Sequence, residues 1–509
     1  MVISILKVER QSAISGSLYQ YASTFTFFAS GLIFYIFLAK TFPTTIVGEM
    51  SLLIAIVTIF NIVFSLGLQQ GAQHFISFYL GRGDYEAVHS LIIKIIVIGL
   101  AFASIGSAVT FVIAPYISIL FFHTPSDFLV VRYLAIELFF LVCFSIFNGI
   151  ILGLQGFRFS AIISVFGQSF SYFLSFILLY MTHSITYAIL GLALGYGGSV
   201  FVFMLGMIFF LDFSKRRDEK VSLKPVFAYS FPLLLSSIIG YGSSYIDRFV
   251  VAYFFKTAEL GIYSFVLLIS SSLAILAGPI NNILLPKFSE LYSSGNKADI
   301  KDATAVSSSV LSYLYTPAAL GVAALAPQIL ELFADDQYLP GTGPLMILLF
   351  ITAVFVTQNV LTQSVSSVRA TRFFIVVTIS TLISNVALSF TLIPRLGLTG
   401  AAIANSSVSV TSFLLLFAYS RTLGVFGMDA KRLGKIWLSA GIMFAVIYFL
   451  QLHLMSSLIF FPVLIILGAA IYIGLSKLMK AFPHEVRDQI IEVFSFGSVK
   501  MKKLLNIVI

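Results

Sequence analysis

A chain of 509 residues that is 59% hydrophobic, 10% charged and rich in Phe, with 53 of them, cannot hide its apolar surface as a water-soluble globule, because soluble domains carry roughly a quarter charged residues. The class that remains is a bundle of membrane-spanning helices. The net charge of +9 then reads as a topology signal and as attraction to anionic lipid headgroups, not as nucleic-acid binding.

Residues 1–12 are a short polar and apolar mix with no cleavage-site pattern, so the helix that follows is read as retained. Apolar runs of roughly 20 residues, each enough to cross about 30 Å of hydrocarbon, predict helices at 14–39, 46–70, 90–113, 128–153, 160–181 and 187–211. Next comes a polar stretch, Asp212 to Pro225, holding the run Lys215-Arg216-Arg217-Asp218-Glu219-Lys220. It reads as a hinge between two halves or as a plain solvated loop. The second series falls at 227–254, 259–285, 304–326, 342–365, 372–393 and 397–420, with two further helices at 434–453 and 457–479. Beyond them Val486, Ile490, Ile491 and Phe494 alternate with charged residues, the pattern of an amphipathic helix on a membrane surface. The expected fold is all-α: a polytopic membrane protein with about fourteen transmembrane helices in two pseudo-symmetric six-helix lobes plus two C-terminal helices. The lobes are expected at 1–213 and 227–425, the cytoplasmic linker at 214–226, the last two helices within 426–480 and a cytoplasmic tail at 481–509.

With the N-terminus inside, this set of helices places 25 of the 30 Lys and Arg on the cytoplasmic side, as expected where basic loops resist translocation. Only Lys40, Arg132, Arg248, Lys256 and Arg395 fall outward. A single missed crossing would invert every later loop, so the asymmetry supports the count. The one cysteine, Cys143, lies in an apolar helix, which excludes an intrachain disulfide and a thiolate cluster. Neither a phosphate-binding G-x-x-x-x-G-K-[ST] loop nor an H-E-x-x-H metal motif is present. No catalytic residue and no cofactor is expected, and the sequence names no metal site.

The chain also repeats itself at a spacing of about 212 residues. Ala114-Pro115 and Ile117 to Phe121 are echoed by Ala326-Pro327 and Ile329 to Phe333, Gln69-Gln70 by Asn281-Asn282, and, one residue further on, Thr44 and Gly48 by Thr257 and Gly261. Such repetition in an apolar chain marks a transporter built from two related halves around a central site. Six helices per half is an even number, so both copies enter from the same side.

Ionisable groups inside spans are functional candidates by default, because burying them in hydrocarbon costs several kcal/mol. Asp247 and Arg248 lead, in helix seven, roughly 10 Å outward of its centre. As neighbours they point about 100° apart, so each finds its partner elsewhere. They form either a fixed buried ion network, or a site in which Arg248 binds an anionic group such as phosphate while Asp247 orients it or takes a coupling cation. Helix four offers Arg132 near its outer end and Glu137 deeper, a candidate partner for Arg248, a proton carrier, or half of a local pair with Arg132. The amides Gln69, Gln70, Asn281, Asn282, Asn148 and Asn359 can bind sugar hydroxyls or join neighbouring helices. Tyr19, Tyr21, Tyr241 and Tyr245 add hydroxyl-bearing rings, with Tyr241 a candidate substrate contact, and Pro115, Pro279, Pro317 and Pro327 mark sites of bending.

The run Ser243 to Val251, followed by Glu259-Leu260-Gly261-Ile262-Tyr263-Ser264, resembles the seventh-helix signature of polysaccharide-transport proteins. These are the Wzx-type lipid-linked oligosaccharide flippases of the multidrug/oligosaccharidyl-lipid/polysaccharide exporter superfamily. Gly81 to Glu86, Gly153 to Arg158 and Ser294 to Lys297 support the resemblance as an ordered set over residues 10–425. It implies two lobes forming a V around a cavity, a lipid-linked glycan as substrate, alternating access in the cytoplasmic membrane, and a groove for a polyprenyl tail at the last two helices. Membrane lipids, a coupling ion (H+ or Na+) and glycan-assembly enzymes are the partners it suggests. A multidrug or organic-cation antiporter of the same fold is the first alternative, thinly supported by Glu137 and Asp247. A membrane-embedded glycosyltransferase or polymerase is the second, with Asp335-Asp336 its one adjacent acidic pair on the outer side.

Overall fold

The computed structural model describes residues 13–122, 128–210, 221–293, 297–370, 372–453 and 457–482. The basic run 215–220 and the amphipathic stretch 483–494 lie outside the described residues. Every described element is helical, as hydrocarbon demands of a chain whose backbone polar groups must be met internally. The chain divides into two compact units at Gly261.

The first unit contains α1 (Ala13–Thr41), α2 (Thr44–Ser65), α3 (Leu68–Gly81), α4 (Tyr85–Ile117), α5 (Phe128–Gly153), α6 (Phe157–Thr182), α7 (Ile185–Phe210) and α8 (Lys224–Phe254), with the start of α9 (Thr257–Ser272). The span expected at 46–70 is broken at Leu66 and Gly67, both left-handed (φ 50° and 65°), so α3 starts in a new direction. Within the unit α5 is central and packs on α2, α3, α4 and α7, while α6 packs on α7 and α1. Although α8 opens the second copy of the repeat, it lies on α2 and α3. The compact unit therefore follows packing and extends beyond the 214–226 linker.

Apolar surface gains little by leaving lipid for another helix, so close backbone approach has to hold such a bundle. The α6–α7 contact is built that way. Gly167, Ser171 and Ser175 recur every four residues along α6, and Gly191, Gly195 and Ser199 run past them in the opposite order, so that Gly167 faces Ser199, Ser171 faces Gly195 and Ser175 faces Gly191. A Cβ on Gly191 would lie 2.5 Å from Ser175 Cα.

The second unit holds the rest of α9, α10 (Gly278–Ser293), α11 (Lys297–Ala324), α12 (Ala326–Phe333), α13 (Thr342–Phe355), α14 (Gln358–Ser367), α15 (Phe373–Leu423), α16 (Ala430–His453) and α17 (Phe461–Leu478). Tyr263 Oη donates to the Ala401 carbonyl at 3.1 Å, tying α9 to α15. The last helix is fastened to α11, because Tyr472 Oη donates to the Tyr313 carbonyl at 2.9 Å and Tyr313 Oη meets Ser476 Oγ at 3.1 Å.

Among the described residues, 11 helices are long and apolar enough to cross a membrane, or 12 with the bent pair α11 and α12 taken as one span. That pair turns by 73° at Leu325, beside the repeated Ala326-Pro327. The fourteen spans expected from sequence differ from this count at two further places. Residues 373–423 run as one helix interrupted at Gly397, whose φ 59° and ψ −136° are open to glycine and strained for other residues. The expected span 259–285 is α9, a 3-10 turn at Leu273–Leu276 and α10, two helices of 16 residues each.

Gly195→Ala inserts a methyl group against the backbone of Ser171. We expect it to destabilise the first unit by about 1–3 kcal/mol, the usual cost of overpacking, seen as a lower thermal midpoint in detergent. An unchanged midpoint would show that the α6–α7 crossing is not a principal fastening.

Candidate functional site

Helix α8 sorts its side chains by face. Ser243, Asp247, Val250 and Val251 are buried, with Asp247 one turn after Ser243. Tyr241, Tyr245 and Arg248 form a separate stripe at spacings of four and three. Tyr241 and Tyr245 stack with ring centroids 6.3 Å apart at 15°, and the Arg248 guanidinium lies over the Tyr245 ring, 4.4 Å from its centroid. A cation on an aromatic face is stabilised by the ring quadrupole while its N–H donors stay in the guanidinium plane and can be used elsewhere.

Residues of α1 and α6 lie within electrostatic reach of this stripe. Tyr35 lies within electrostatic reach of Arg248, Tyr172 and Tyr245, and bonds to Ser51 of α2. Tyr172 is pinned from two directions, since its ring stacks on Phe34 (4.7 Å, 16°) and its hydroxyl accepts from Gln168 Nε2 at 3.3 Å. Glu137 of α5 lies within electrostatic reach of both Tyr172 and Tyr196. Arg248, Tyr245, Tyr35, Tyr172 and Glu137 are thus linked through one cluster in the first unit.

Other sequence candidates have local partners. Arg132 is held between rings, 4.6 Å from the Phe111 centroid and 4.7 Å from that of Phe128. Among the described residues it forms no ion pair with Glu137. Asn148 Oδ1 accepts from Ser160 Oγ at 2.5 Å, joining α5 to α6. In the second unit Asn281 Nδ2 donates to Asn359 Oδ1 at 3.4 Å, and Asn359 Nδ2 donates to the Val356 carbonyl at 3.0 Å. The repeat mates Asn148 and Asn359 therefore both take part in helix-to-helix bonds. Gln69 is half-buried and Gln70 exposed at the start of α3. Gln69 meets α5 through its backbone, where a Cβ on Gly149 would lie 2.7 Å from Gln69 Cα. Nothing is described of the Asn282 side chain.

Sequence reasoning did not select Tyr35, Tyr172, Gln168 or Tyr196. Tyr35 had a signal, because it occupies the repeat position of Arg248. Gln168 and Tyr172, four apart in an apolar helix, had a weaker one.

Two glycine contacts fasten α8 and its continuation to α2 and α3. Gly48 and Gly261 cross reciprocally: a Cβ on Gly48 would lie 2.8 Å from the Gly261 nitrogen, and one on Gly261 would lie 3.0 Å from the Gly48 nitrogen. The same methyl groups would collide with the carbonyl oxygens of Thr257 and Thr44 respectively. At the other end Gly67 approaches the Ser230 carbonyl, 2.7 Å from its Cβ position, and Gly71 abuts Val226 at 3.0 Å.

Removing both amides of the Asn281–Asn359 pair, singly and together as Leu, should reveal a coupling near 0.6 kcal/mol, typical of hydrogen bonds between membrane helices. Zero coupling in a thermal-unfolding cycle would free these amides from a structural role.

A family model described as polysaccharide biosynthesis protein matches residues 44–343. The probable low-salt glycan biosynthesis flippase Agl15 of Haloferax volcanii is 21% identical over 266 residues, which make up 52% of this chain and 56% of that protein. The chain thus aligns with about half the length of that curated relative. Among solved structures, the lipid II flippase MurJ in an inward closed conformation superposes with a TM-score of 0.73 at 17% identity, covering 93% of this chain and 99% of that one. An inward-facing MATE-family multidrug resistance transporter of the MOP superfamily gives 0.62 at 17% identity, covering 83% and 97%. At these identities the likeness is one of fold, and it bears out the all-α polytopic architecture.

Proposed function

The chain belongs to the polysaccharide biosynthesis protein family, and we propose that it is a flippase moving lipid-linked oligosaccharide or polysaccharide repeat units across a cytoplasmic membrane by alternating access. The observation that carries this reading is Arg248, a cation seated on Tyr245 within electrostatic reach of Tyr35. A guanidinium suits the phosphate or diphosphate that joins a glycan to its lipid, because its planar fork matches phosphate oxygens. The tyrosine hydroxyls around it tolerate varied sugars, and the lipid tail stays in the bilayer. Tyr241, Gln69 and Gln70, whose side chains are at least partly exposed, are further candidates for glycan contact, whereas Asn148, Asn281 and Asn359 serve the scaffold.

In this reading both termini are cytoplasmic, Gly48 and Gly261 close the outer side of α8, and Gly67 and Gly71 hold its inner side. Each half-cycle releases one of these fastenings. Glycan-assembly enzymes supply the substrate on one face and consume it on the other, and a coupling ion or that consumption sets direction. The MATE-like fold keeps a cation antiporter as the second reading, which Arg248 opposes, because a cationic substrate would meet a like charge.

In proteoliposomes carrying a fluorescent polyprenyl-diphosphate saccharide, Arg248→Ala should slow translocation about ten- to a hundredfold. That is the kinetic equivalent of one charged hydrogen bond of about 1.5–3 kcal/mol. Arg248→Lys should recover part of the rate. A wild-type protein that leaves the saccharide in place while exporting organic cations would sink the flippase reading. A normal rate in Arg248→Ala would remove only Arg248 from the path.

A further inference from the structure

Helix α14 runs through hydrocarbon depth with few residues that lipid accepts. It reads Gln358-Asn359-Val360-Leu361-Thr362-Gln363-Ser364-Val365-Ser366-Ser367, and with α13 it belongs to one candidate span, Asp336–Ser367. Gln358 lies about 14 Å along the axis from the end at Ser367, near the middle of a hydrocarbon core of about 30 Å. The buried positions of α14 are Val360, Leu361, Ser364, Val365 and Ser367, of which Leu361 and Val365 share a core with Val377 and Leu416 of α15. The others, Gln358, Asn359, Thr362, Gln363 and Ser366, are half-buried, and each carries an amide or a hydroxyl. They fall within about 140° of one another around the helix. On α15, which packs against α14, every exposed position from 375 to 390 is apolar, Ile375, Ile379, Ile383 and Phe390 among them. That is a surface made for lipid, whereas the open stripe of α14 is one made for water.

Part of the stripe is spent on the scaffold. Asn359 is engaged with Asn281 and the Val356 carbonyl, and Gln358 Nε2 donates to Ser409 Oγ at 3.4 Å. The rest is open. Among the described residues Gln358 Oε1 has no partner, and neither has the Gln363 amide. The Thr362 and Ser366 hydroxyls donate to the carbonyls of Gln358 and Thr362 at 2.9 and 2.7 Å, which leaves both oxygens able to accept. These groups are neutral, mostly acceptors, and spread over about 12 Å from Gln358 to Ser366. A phosphate needs donors, and the stripe offers only the Gln363 amide. A metal ion needs several oxygens converging on one point. A row of hydroxyl-bearing rings, in which each hydroxyl both donates and accepts, matches the chemistry and the length.

We propose that the open face of α14 is a glycan subsite beside a water-filled passage: Gln363 and Gln358 Oε1 exchange hydrogen bonds with sugar hydroxyls, and Thr362 and Ser366 accept from them. This rests on the flippase reading and adds to it an uncharged contact that reads the sugars, where Arg248 reads the phosphate. Each such bond replaces one to water, so its net worth is small. The subsite therefore grades glycans by length and hydroxyl pattern without holding them tightly.

The test uses the full chain in lipid nanodiscs with Cys143→Ser, carrying either Gln363→Cys or Ile379→Cys, and a water-soluble, membrane-impermeant maleimide. Only a thiolate reacts, so Gln363→Cys beside water should label much faster than Ile379→Cys in lipid. A polyprenyl-diphosphate trisaccharide should slow the labelling of Gln363→Cys, and the same polyprenyl diphosphate without sugar should not. In proteoliposomes Gln363→Leu should raise KM for the trisaccharide lipid about three- to tenfold, the worth of one neutral hydrogen bond, with kcat unchanged. Gln363→Asn should fall between Gln363→Leu and wild type. Protection is read on Gln363→Cys, so it decides the matter even where Gln363→Leu fails to fold. Labelling of Gln363→Cys as slow as that of Ile379→Cys, protection by both lipids or by neither, or an unaltered KM in Gln363→Leu would each overturn the subsite. A chain that the trisaccharide lipid protects but that carries it across no membrane would instead strike the flippase reading and leave the subsite standing.

Discussion

Hydrocarbon supplies no hydrogen-bond partner, so in this chain each polar group and each break in a helix has to be met by protein, and this requirement shapes the rest of the structure. It explains why short serine and threonine side chains inside the helices so often donate back to carbonyls one turn earlier, as Ser171 does to Gly167, Ser199 to Gly195 and Thr304 to Ile300. It also explains how the bundle coheres. Lipid removes most of the hydrophobic gain from helix association, and close approach through small residues takes its place. The α6–α7 ladder and the α3–α5 contact at Gly149 are cases of the same solution.

The same requirement makes α8 unusual. A buried aspartate and a neighbouring arginine are costly in any spanning helix, and an aromatic face is part of how the arginine is accommodated. Its charge rests on the Tyr245 ring, a contact that strengthens as water is withdrawn. The aromatic face thus lowers the cost of one charge in the span without a second charge beside it on that face.

The helical class and most helix positions were legible in the sequence because apolar run length is a direct consequence of bilayer thickness. Breaks were less so. The span 46–70 looks continuous, since Ser65, Leu66 and Gly67 interrupt its geometry without interrupting its hydropathy. The 3-10 turn at Leu273–Leu276 is likewise apolar throughout. At the site, Arg248 and Glu137 stood out because charges are scarce in spans. Tyr35 and Tyr172 did not, because a chain with 23 Tyr and 53 Phe offers no contrast for one more ring. The amides were visible, but whether an amide binds a sugar or a neighbouring helix depends on a partner from a distant part of the chain, as Ser160 is for Asn148. That pairing is a tertiary fact.

The internal repeat gains its sharpest meaning where mates meet. Thr44 and Gly48 are the repeat equivalents of Thr257 and Gly261, and the structure packs the two sets on each other reciprocally, each glycine against the other copy's threonine carbonyl. At the same offset Tyr35 is the equivalent of Arg248, and these two are also neighbours. The duplicated segments therefore touch at corresponding places, and the outcome differs with the demand. Backbone approach requires glycine from both copies, so the crossing has stayed symmetric. A symmetric pair of arginines would instead place two cations side by side in a low-dielectric interior, where like charges repel most strongly. One arginine with one tyrosine in its electrostatic reach avoids that repulsion. The asymmetry of the repeat at this position is then what a duplicated interior segment needs in order not to set two like charges together.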